Sequence, residues 1–201
     1  DKPRKFAEIT NAINSTGNYM VNVKNNRNCF HSYDAEDNAH SVHIWRGAKD
    51  CMDCNTAGRT AELIYNTLNT GLEASNVICG SFCWSSQFMQ YCLNCPNSNN
   101  CFGCAGLIKG SYCILNKQYS KEEYEKLRAE IISKMKKEGV YGDFFPKELS
   151  PLGYNESSAI DEFPLSKEEE ALAQGFKWED TPRGTFGKET VDWNNFPNSI
   201  L

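Results

Sequence analysis

The sequence predicts a mainly β fold, a parallel β-solenoid of about four coils that are each about 22 residues long. A capping α-helix and an irregular, partly helical tail are predicted to follow it. Two observations support the solenoid. All ten cysteines lie between Cys29 and Cys113, and short cysteine-containing blocks recur there at a nearly constant spacing. Internal repetition of this kind is typical of solenoids, in which each repeat contacts only its neighbours.

Two interleaved series of blocks carry the repeat. The first series is led by Cys29, Cys51, Cys79 and Cys101, at separations of 22, 28 and 22 residues. The second is led by Val42, Ile64, Cys92 and Cys113, at separations of 22, 28 and 21 residues. The period is too short for a helical hairpin. Because Asn, Asp, Ser and Gly flank the blocks, short strands joined by turns are expected.

The chain divides into four predicted segments. Residues 1–24 are expected to be a lead-in or N-terminal cap, 25–117 the solenoid, 118–140 a capping helix and 141–201 an extended tail with one short helix. The helix signals are a capping box from Ser120 to Glu123 and a stop at Gly139. An apolar stripe includes Tyr124 and Leu127. We expect this helix to cover the open end of the last coil.

The cysteines are predicted to pack the solenoid interior as free thiols, because cysteine is small and among the most buried residue types. The core stack would comprise Cys29, Cys51, Cys54, Cys92, Cys95 and Cys113. Four others have spacings that also suit a structural zinc site, namely Cys79, Cys83, Cys101 and Cys104. Disulfides between stacked coils are a further alternative. The cofactor prediction is therefore none, or structural zinc.

A polar segment from His31 to His43 holds all three histidines together with Asp34, Glu36 and Asp37. Imidazole and carboxylate groups can act together as general acids and bases, so the segment is a candidate enzymatic site. The preferred interpretation is an exposed acidic turn, with His31 and His43 facing outward.

Charge narrows the classes of partner. Residues up to Asn116 carry nine basic and nine acidic side chains, and the remainder carries twelve and seventeen. The chain has no basic face of the kind that nucleic-acid binding requires. No run of apolar residues reaches the length of a membrane-spanning helix. We expect a cytoplasmic protein with reduced thiols that binds neither nucleic acid nor membranes.

Four stretches together resemble a known group of proteins: NCFGCAGL, YCILNKQYSKEEY, LSPLGYNES and FPLSKEEEALAQGFKW. They are similar to an uncharacterised family of cysteine-rich repeat proteins from candidate-phylum bacterial genomes and metagenomes. The resemblance spans roughly Asn28 to Trp178. Many members carry zinc-ribbon-like segments outside their repeats, and this chain lacks them. The resemblance implies no activity or catalytic residue.

The function expected from the sequence is a non-enzymatic structural or protein-binding repeat module, whose partner is another protein or a second copy. The apolar C-terminal arm suggests self-association, because such segments tend to be buried in a partner surface. Its candidate contact residues are Trp178, Phe186, Trp193 and Phe196. The alternatives are a zinc-stabilised module and a β-helix enzyme that acts on polysaccharide through the histidine segment.

Overall fold

A computed structural model describes residues 6–165 and 168–180. The chain forms two compact units, one up to Phe144 and one from Phe145 onward. The first unit is a parallel β-solenoid, as predicted. Its eleven strands form one sheet in chain order. They are β1 (Ile9–Ile13), β2 (Gly17–Lys24), β3 (Cys29–Glu36), β4 (Val42–Trp45), β5 (Lys49–Gly58), β6 (Glu62–Leu68), β7 (Ser75–Ile78), β8 (Gln87–Gln90), β9 (Asn99–Phe102), β10 (Ser111–Ile114) and β11 (Lys117–Gln118).

The coil is about half as long as predicted. One ladder of paired residues runs through nine coils, with successive members 11 to 13 residues apart: Ile13, Lys24, Glu36, Lys49, Glu62, Ser75, Gln87, Asn99 and Ser111. The prediction of about four coils of about 22 residues is therefore wrong in coil length and number, although the parallel solenoid is correct.

A three-residue unit underlies each coil. In most of the solenoid every third residue has a positive φ, as at Asn22, Asn25 and Asn28. The residue after each of these points inward and is buried, as at Val23, Asn26 and Cys29. Asn and Asp adopt the left-handed conformation more readily than other non-glycine residues. Four such units close one coil. Each coil therefore has four sides, which we call walls.

The three-residue unit explains why the cysteine spacing near 22 residues does not give the length of a coil. Cys29 and Cys51 are separated by seven three-residue steps plus one extra residue between Ile44 and Ala48. Both cysteines are buried, but they lie on different walls, since seven steps do not complete two coils. Residues about 22 positions apart therefore both point inward, but they do not occupy the same position in successive coils.

The solenoid also begins earlier than predicted. Strands β1 and β2 pair in parallel within the segment that was expected to be a lead-in or cap. Their sequences contain no cysteine, which is why the cysteine blocks did not reveal them.

The first helix, α1, spans Lys121–Glu138 and has the predicted termini. Ser120 and Glu123 form a capping box, and Gly139 ends the helix in the left-handed conformation. The expectation that it covers the open end is wrong. Tyr124 packs against Tyr112 of the last coil, whereas Arg128 reaches Gln90 two coils earlier. The helix thus lies along the side of the solenoid, and antiparallel β11 pairs with the last coil instead.

A shared apolar face explains this position. Phe102 and Ile114, one above the other on the outside of the solenoid, form a small core with Tyr124. The stripe residues Leu127, Ile131 and Met135 pack against that core. None of the helices in the described ranges is long and apolar enough to cross a membrane.

The second unit is organised around one buried tyrosine. It contains α2 (Ala159–Glu162), α3 (Glu168–Ala173) and two short 3-10 turns at 147–149 and 154–156. Tyr154 is buried, and its hydroxyl accepts a hydrogen bond from the backbone N–H of Leu165 at 2.8 Å. Its ring packs against Phe176 and Trp178.

Candidate binding surfaces

The inward residues stack into four columns, one for each wall. Column I is Cys29, Ser41, Cys54, Thr67, Gly80, Cys92 and Cys104. Column II is Met20, Ser32, Ile44, Ala57, Thr70, Cys83, Cys95 and Leu107. Column III is Val23, Ala35, Ala48, Ala61, Ala74, Ser86, Ser98 and Gly110. Column IV is Asn26, Asn38, Cys51, Ile64, Val77, Met89, Cys101 and Cys113.

Interior thiols are hydrogen-bond donors as well as packing groups. The Cys54 thiol donates to the carbonyl of Met52, two residues earlier, at a sulfur–oxygen distance of 3.1 Å. The same contact recurs at the other interior cysteines. The Ser98 hydroxyl donates in the same way to Pro96 at 3.2 Å. Cysteine and serine therefore share one structural role in this interior, which is filled mainly by small side chains.

The structure does not bring the four predicted zinc ligands together. Cys83, Cys101 and Cys104 point inward from three different columns. Cys79 lies outside the interior, where its thiol donates to the carbonyl of Gly142 at 3.3 Å. Within residues 6–165 and 168–180, no group of three or more His, Cys, Asp or Glu side chains could hold a metal ion.

The cysteines predicted to form the core stack are all buried in the solenoid. Cys29, Cys54 and Cys92 lie in column I, Cys95 in column II, and Cys51 and Cys113 in column IV. All ten cysteines fall in the described part of the chain, and each is a free thiol.

Burial makes several of these thiols hard to ionise, whereas hydrogen bonds from neighbouring thiols lower the pKa of Cys95 and Cys104. Loss of hydration raises the pKa of Cys83 to about 12 and that of Cys79 to about 11. Burial also raises the pKa of Cys29 and Cys54. Since thiolates are the reactive form of cysteine, these groups are suited to structure rather than to nucleophilic chemistry.

The three histidines lie at two separate corners of the solenoid. His31 stacks between Tyr19 and His43, with ring centroids 4.7 and 5.2 Å away. His40 lies in another outer column, next to Arg27 and Asn28. Asp34 instead pairs with Asn22 in an amide–carboxylate ladder. The polar segment is thus spread around the coil.

Three adjacent outer columns contain no Lys, Arg, Asp or Glu over seven or eight coils. We call them the uncharged strip. They are Phe30, Val42, Asn55, Leu68, Ser81, Leu93 and Ala105; Tyr19, His31, His43, Thr56, Asn69, Phe82 and Asn94; and Val21, Tyr33, Trp45, Gly58, Gly71, Trp84, Pro96 and Ile108. Phe30, Leu68 and Leu93 are 47%, 41% and 39% exposed. The strip therefore presents large apolar groups to solvent.

A small groove lies between another wall and helix α1. Its volume is about 190 Å³, and we call it the helix groove. It is lined by Leu63, Asn76, Ile78, Phe88, Gln90 and Arg128. Arg128 is half-buried and donates from Nε to Oε1 of Gln90 at 2.8 Å. The groove thus combines apolar walls with one guanidinium group.

Two of the groove residues are conformationally unusual. Leu63 and Phe88 have φ values of 57° and 55°, although neither favours the left-handed conformation. That conformation costs an ordinary residue roughly 1–2 kcal/mol. Both side chains are about half exposed, at 51% and 50%, so local packing does not account for them. Strained, exposed apolar residues are candidates for function.

The predicted partner-binding residues are only partly covered by the described structure. Trp178 is half-buried and stacks on Tyr154, with ring centroids 6.4 Å apart. It therefore contributes to the core of the second unit. Phe186, Trp193 and Phe196 lie outside the described residues, so their role in self-association stays a prediction.

The helix groove was missed from the sequence. A signal was present, because the residues stacked with Leu63 and Phe88 are mostly Asn or Asp: Asn14, Asn25, Asp37, Asp50, Asn76 and Asn100. Leu63, Phe88 and Tyr112 are the exceptions in this column, and recognising them requires the correct coil length, which the cysteine spacing concealed. Arg128 gives no signal of its own on a helix that is rich in charged residues.

Comparisons with known proteins gave no match, whether to a protein-family model, a curated protein or a solved structure.

Proposed function

We propose that this chain is a non-enzymatic structural module that binds another protein along its solenoid. The observation that carries the proposal is the uncharged strip. A surface that lacks charge and exposes several large apolar side chains, such as Phe30, Leu68 and Leu93, commonly marks an interaction site. Depletion of charged residues together with enrichment in aromatic residues is also typical of the centre of protein interfaces.

A contrast with a neighbouring wall supports this proposal. The residues that come directly after those of column III form an outer column. In four successive coils this column alternates in charge, with Lys24, Glu36, Lys49 and Glu62. The first and last of these side chains are exposed, as is usual for a wall that faces water. The strip has the same backbone geometry and nearly the same length, so its lack of charge is a property of that surface and not of the fold.

The composition of the interior also supports a structural role. The coils are filled by small side chains whose thiols and hydroxyls bond to nearby carbonyls. In the described ranges no buried side-chain nitrogen or oxygen lacks a hydrogen-bond partner. A rigid support of this kind holds surface residues at fixed spacing, about 4.8 Å from coil to coil.

Photo-crosslinking tests the proposal. A benzoylphenylalanine residue at position 68 lies within the strip, and one at position 36 lies on the charged wall, two coils away from the helix groove, as a matched control. In an extract of the source organism, we expect position 68 to form a protein adduct that position 36 does not form. The adduct partner, identified by mass spectrometry, should bind the full chain again after purification. Equal labelling from both positions, or no adduct at position 68, contradicts the proposal.

A further inference from the structure

The helix groove contains a cation that no carboxylate of residues 6–165 and 168–180 neutralises. Arg128 is half-buried on α1, and its hydrogen-bond partner among the described residues is the neutral side-chain amide of Gln90. No carboxylate in the described part of the chain lies within ion-pair distance of its guanidinium. Partial burial of an unpaired charge is unfavourable, and a guanidinium binds a carboxylate with two parallel hydrogen bonds. The groove therefore favours an anionic ligand.

The rest of the groove favours an apolar group beside that anion. Leu63 and Phe88 hold exposed apolar side chains at left-handed positions where the same outer column otherwise carries mainly Asn or Asp. Ile78 completes the apolar lining. Asn in place of either residue would relieve the backbone strain. Their presence is thus better explained by what they contact than by local stability.

The small volume of the groove favours the terminal residue of a partner chain over an internal segment. A volume of about 190 Å³ is below the range of ordinary small-molecule pockets and accommodates little more than one large side chain. A chain that passes through would place backbone at both ends of the groove. A C-terminal residue needs only one opening and carries its carboxylate next to its own side chain.

We propose that the helix groove binds the C-terminal residue of a partner protein when that residue has an apolar side chain. The apolar side chain lies between Leu63 and Phe88, and the terminal carboxylate accepts hydrogen bonds from Arg128. Asn76 is half-buried, its side-chain amide has no hydrogen-bond partner among the described residues, and that amide donates to the backbone of the bound segment. Capture of a terminal carboxylate is an established mode of peptide recognition.

This inference adds a second contact to the proposed binding function. The helix groove shares no residue with the uncharged strip. A failure of peptide binding would therefore leave the crosslinking result at position 68 unaffected, and the reverse also holds.

Two short peptides test the inference. Acetyl-Gly-Ala-Leu with a free carboxylate and the same peptide with a C-terminal amide differ only in the proposed anion. Titration of the full chain, followed by NMR or calorimetry, should show at least tenfold tighter binding of the carboxylate form. About tenfold corresponds to the loss of one charge-assisted hydrogen-bonded contact. Equal affinities, or no binding of either peptide at millimolar concentration, would overturn the proposal.

Charge variants locate the interaction. Arg128→Gln should weaken binding of the carboxylate peptide at least tenfold. Lys126→Gln removes one exposed positive charge from the same helix outside the groove, and it should change binding less than twofold. An equal loss in both variants would indicate general electrostatic attraction and contradict a specific site.

A third variant separates binding from folding. Phe88→Asn relieves the strain at a left-handed position, so its melting temperature should equal or exceed that of the wild type. The same variant loses one apolar wall and should bind the carboxylate peptide at least fivefold more weakly. Binding at the wild-type level would show that Phe88 does not line the site.

Discussion

Cysteine serves this interior through two properties at once. Its side chain is small enough for a coil of about twelve residues, and its thiol still donates to a carbonyl. The Cys83 thiol bonds to the carbonyls of Ser81 and Cys92, and the Ser86 hydroxyl bonds similarly to Trp84 and Cys95. Larger aliphatic residues such as Ile44 and Ile64 are the exceptions among the inward positions. The abundance of cysteine thus fits the narrow width of the coil.

The raised thiol pKa values predict a loss of stability in alkaline solution. In the unfolded chain a thiol ionises near its ordinary pKa of 9.0, whereas burial raises the pKa of Cys83 to about 12. The unfolded state therefore loses its proton first as pH rises. The stabilising contribution of Cys83 is complete below about pH 9 and declines by about 1 kcal/mol per pH unit toward pH 12.

Urea unfolding at pH 8, 9 and 10 measures this effect. The free energy of unfolding should fall more steeply with pH for the wild type than for Cys83→Ser, because a serine hydroxyl does not ionise in this range. The difference between the two proteins removes the contributions of lysine and tyrosine. Parallel pH profiles would show that Cys83 is not protected in the folded state.

At the scale of single elements, Gly71 in the uncharged strip lies against the backbone of the preceding coil and leaves no room for a side chain. A Cβ at Gly71 would lie 2.5 Å from the backbone nitrogen of Gly58 and 2.6 Å from Cα of Ala57. The same Gly58 nitrogen donates to the carbonyl of Gly71 at 3.1 Å. The two coils therefore cannot separate to admit a methyl group without breaking their ladder.

Substitution of Gly71 should consequently be costly. We expect Gly71→Ala to reduce the free energy of unfolding by about 3 kcal/mol, as for a methyl group forced into a packed site. Gly106→Ala is a matched control, since no atom lies within 4 Å of its added Cβ and its φ is +67°. That control should lose only about 1 kcal/mol from backbone strain. Equal losses in urea unfolding would mean that a small shift of the two coils relieves the close contact at Gly71.

Helix α1 is attached to the solenoid beyond its apolar stripe. The loop after it is held at Gly142, whose N–H donates to the Tyr91 hydroxyl at 2.7 Å. The Gly142 carbonyl accepts from Asn66 at 3.1 Å and from Cys79 at 3.3 Å. These contacts explain why Cys79 is buried although it lies outside the interior. They also fix the helix position that defines the groove.

At the scale of the whole solenoid, the interior changes character along the axis. The N-terminal coils bury a polar network in which Asn38 donates to the carbonyl of Ala48 and Asn26 donates to Ser32. The C-terminal coils bury mainly sulfur and methyl groups, such as Met89 and Cys101. Helix α1 covers one side of the later coils only. Apolar burial, and with it local stability, should therefore increase toward the C-terminal end.

Hydrogen exchange tests this gradient. In a solenoid each coil depends on its nearest neighbours, so the two ends can open independently. Amides of β1 and β2 should exchange at least tenfold faster than those of β8 and β9, when exchange is followed by mass spectrometry on peptides. A common exchange rate for both regions would instead indicate a single cooperative unit.

The sequence was informative about some features for definite physical reasons. The capping box at Ser120 and the stop at Gly139 are local signals, and both were confirmed. The parallel solenoid was also predicted correctly, because stacked repeats leave periodic residues. The helix position was wrong, since it depends on Phe102 and Ile114 stacking on the outside of the solenoid. That stacking is visible only when the coil length is known.

Coil length itself was concealed by the composition of the interior. Its positions accept Cys, Ser, Ala, Thr or Asn, so hydrophobicity shows no clear period of three. The informative residues were on the outside, where Asn94, Asn97 and Asn100 recur every third position at positive φ. The uncharged strip and the helix groove follow from coil length, and neither could be assembled without it.

The three-residue wall has a consequence for how a gene of this kind can change in length. Between Ser75 and Ser111, where each coil has twelve residues, a tandem duplication of twelve codons adds one whole coil, since four walls close a coil. A three-codon insertion would instead rotate everything downstream by one wall and divide the uncharged strip into two unaligned parts. Single-codon insertions are accepted at the corner before column III, as the coils containing Ala48, Ala61 and Ala74 demonstrate. Whole-coil duplication therefore lengthens the uncharged strip by one coil at a time and preserves the stacking contacts of the existing coils.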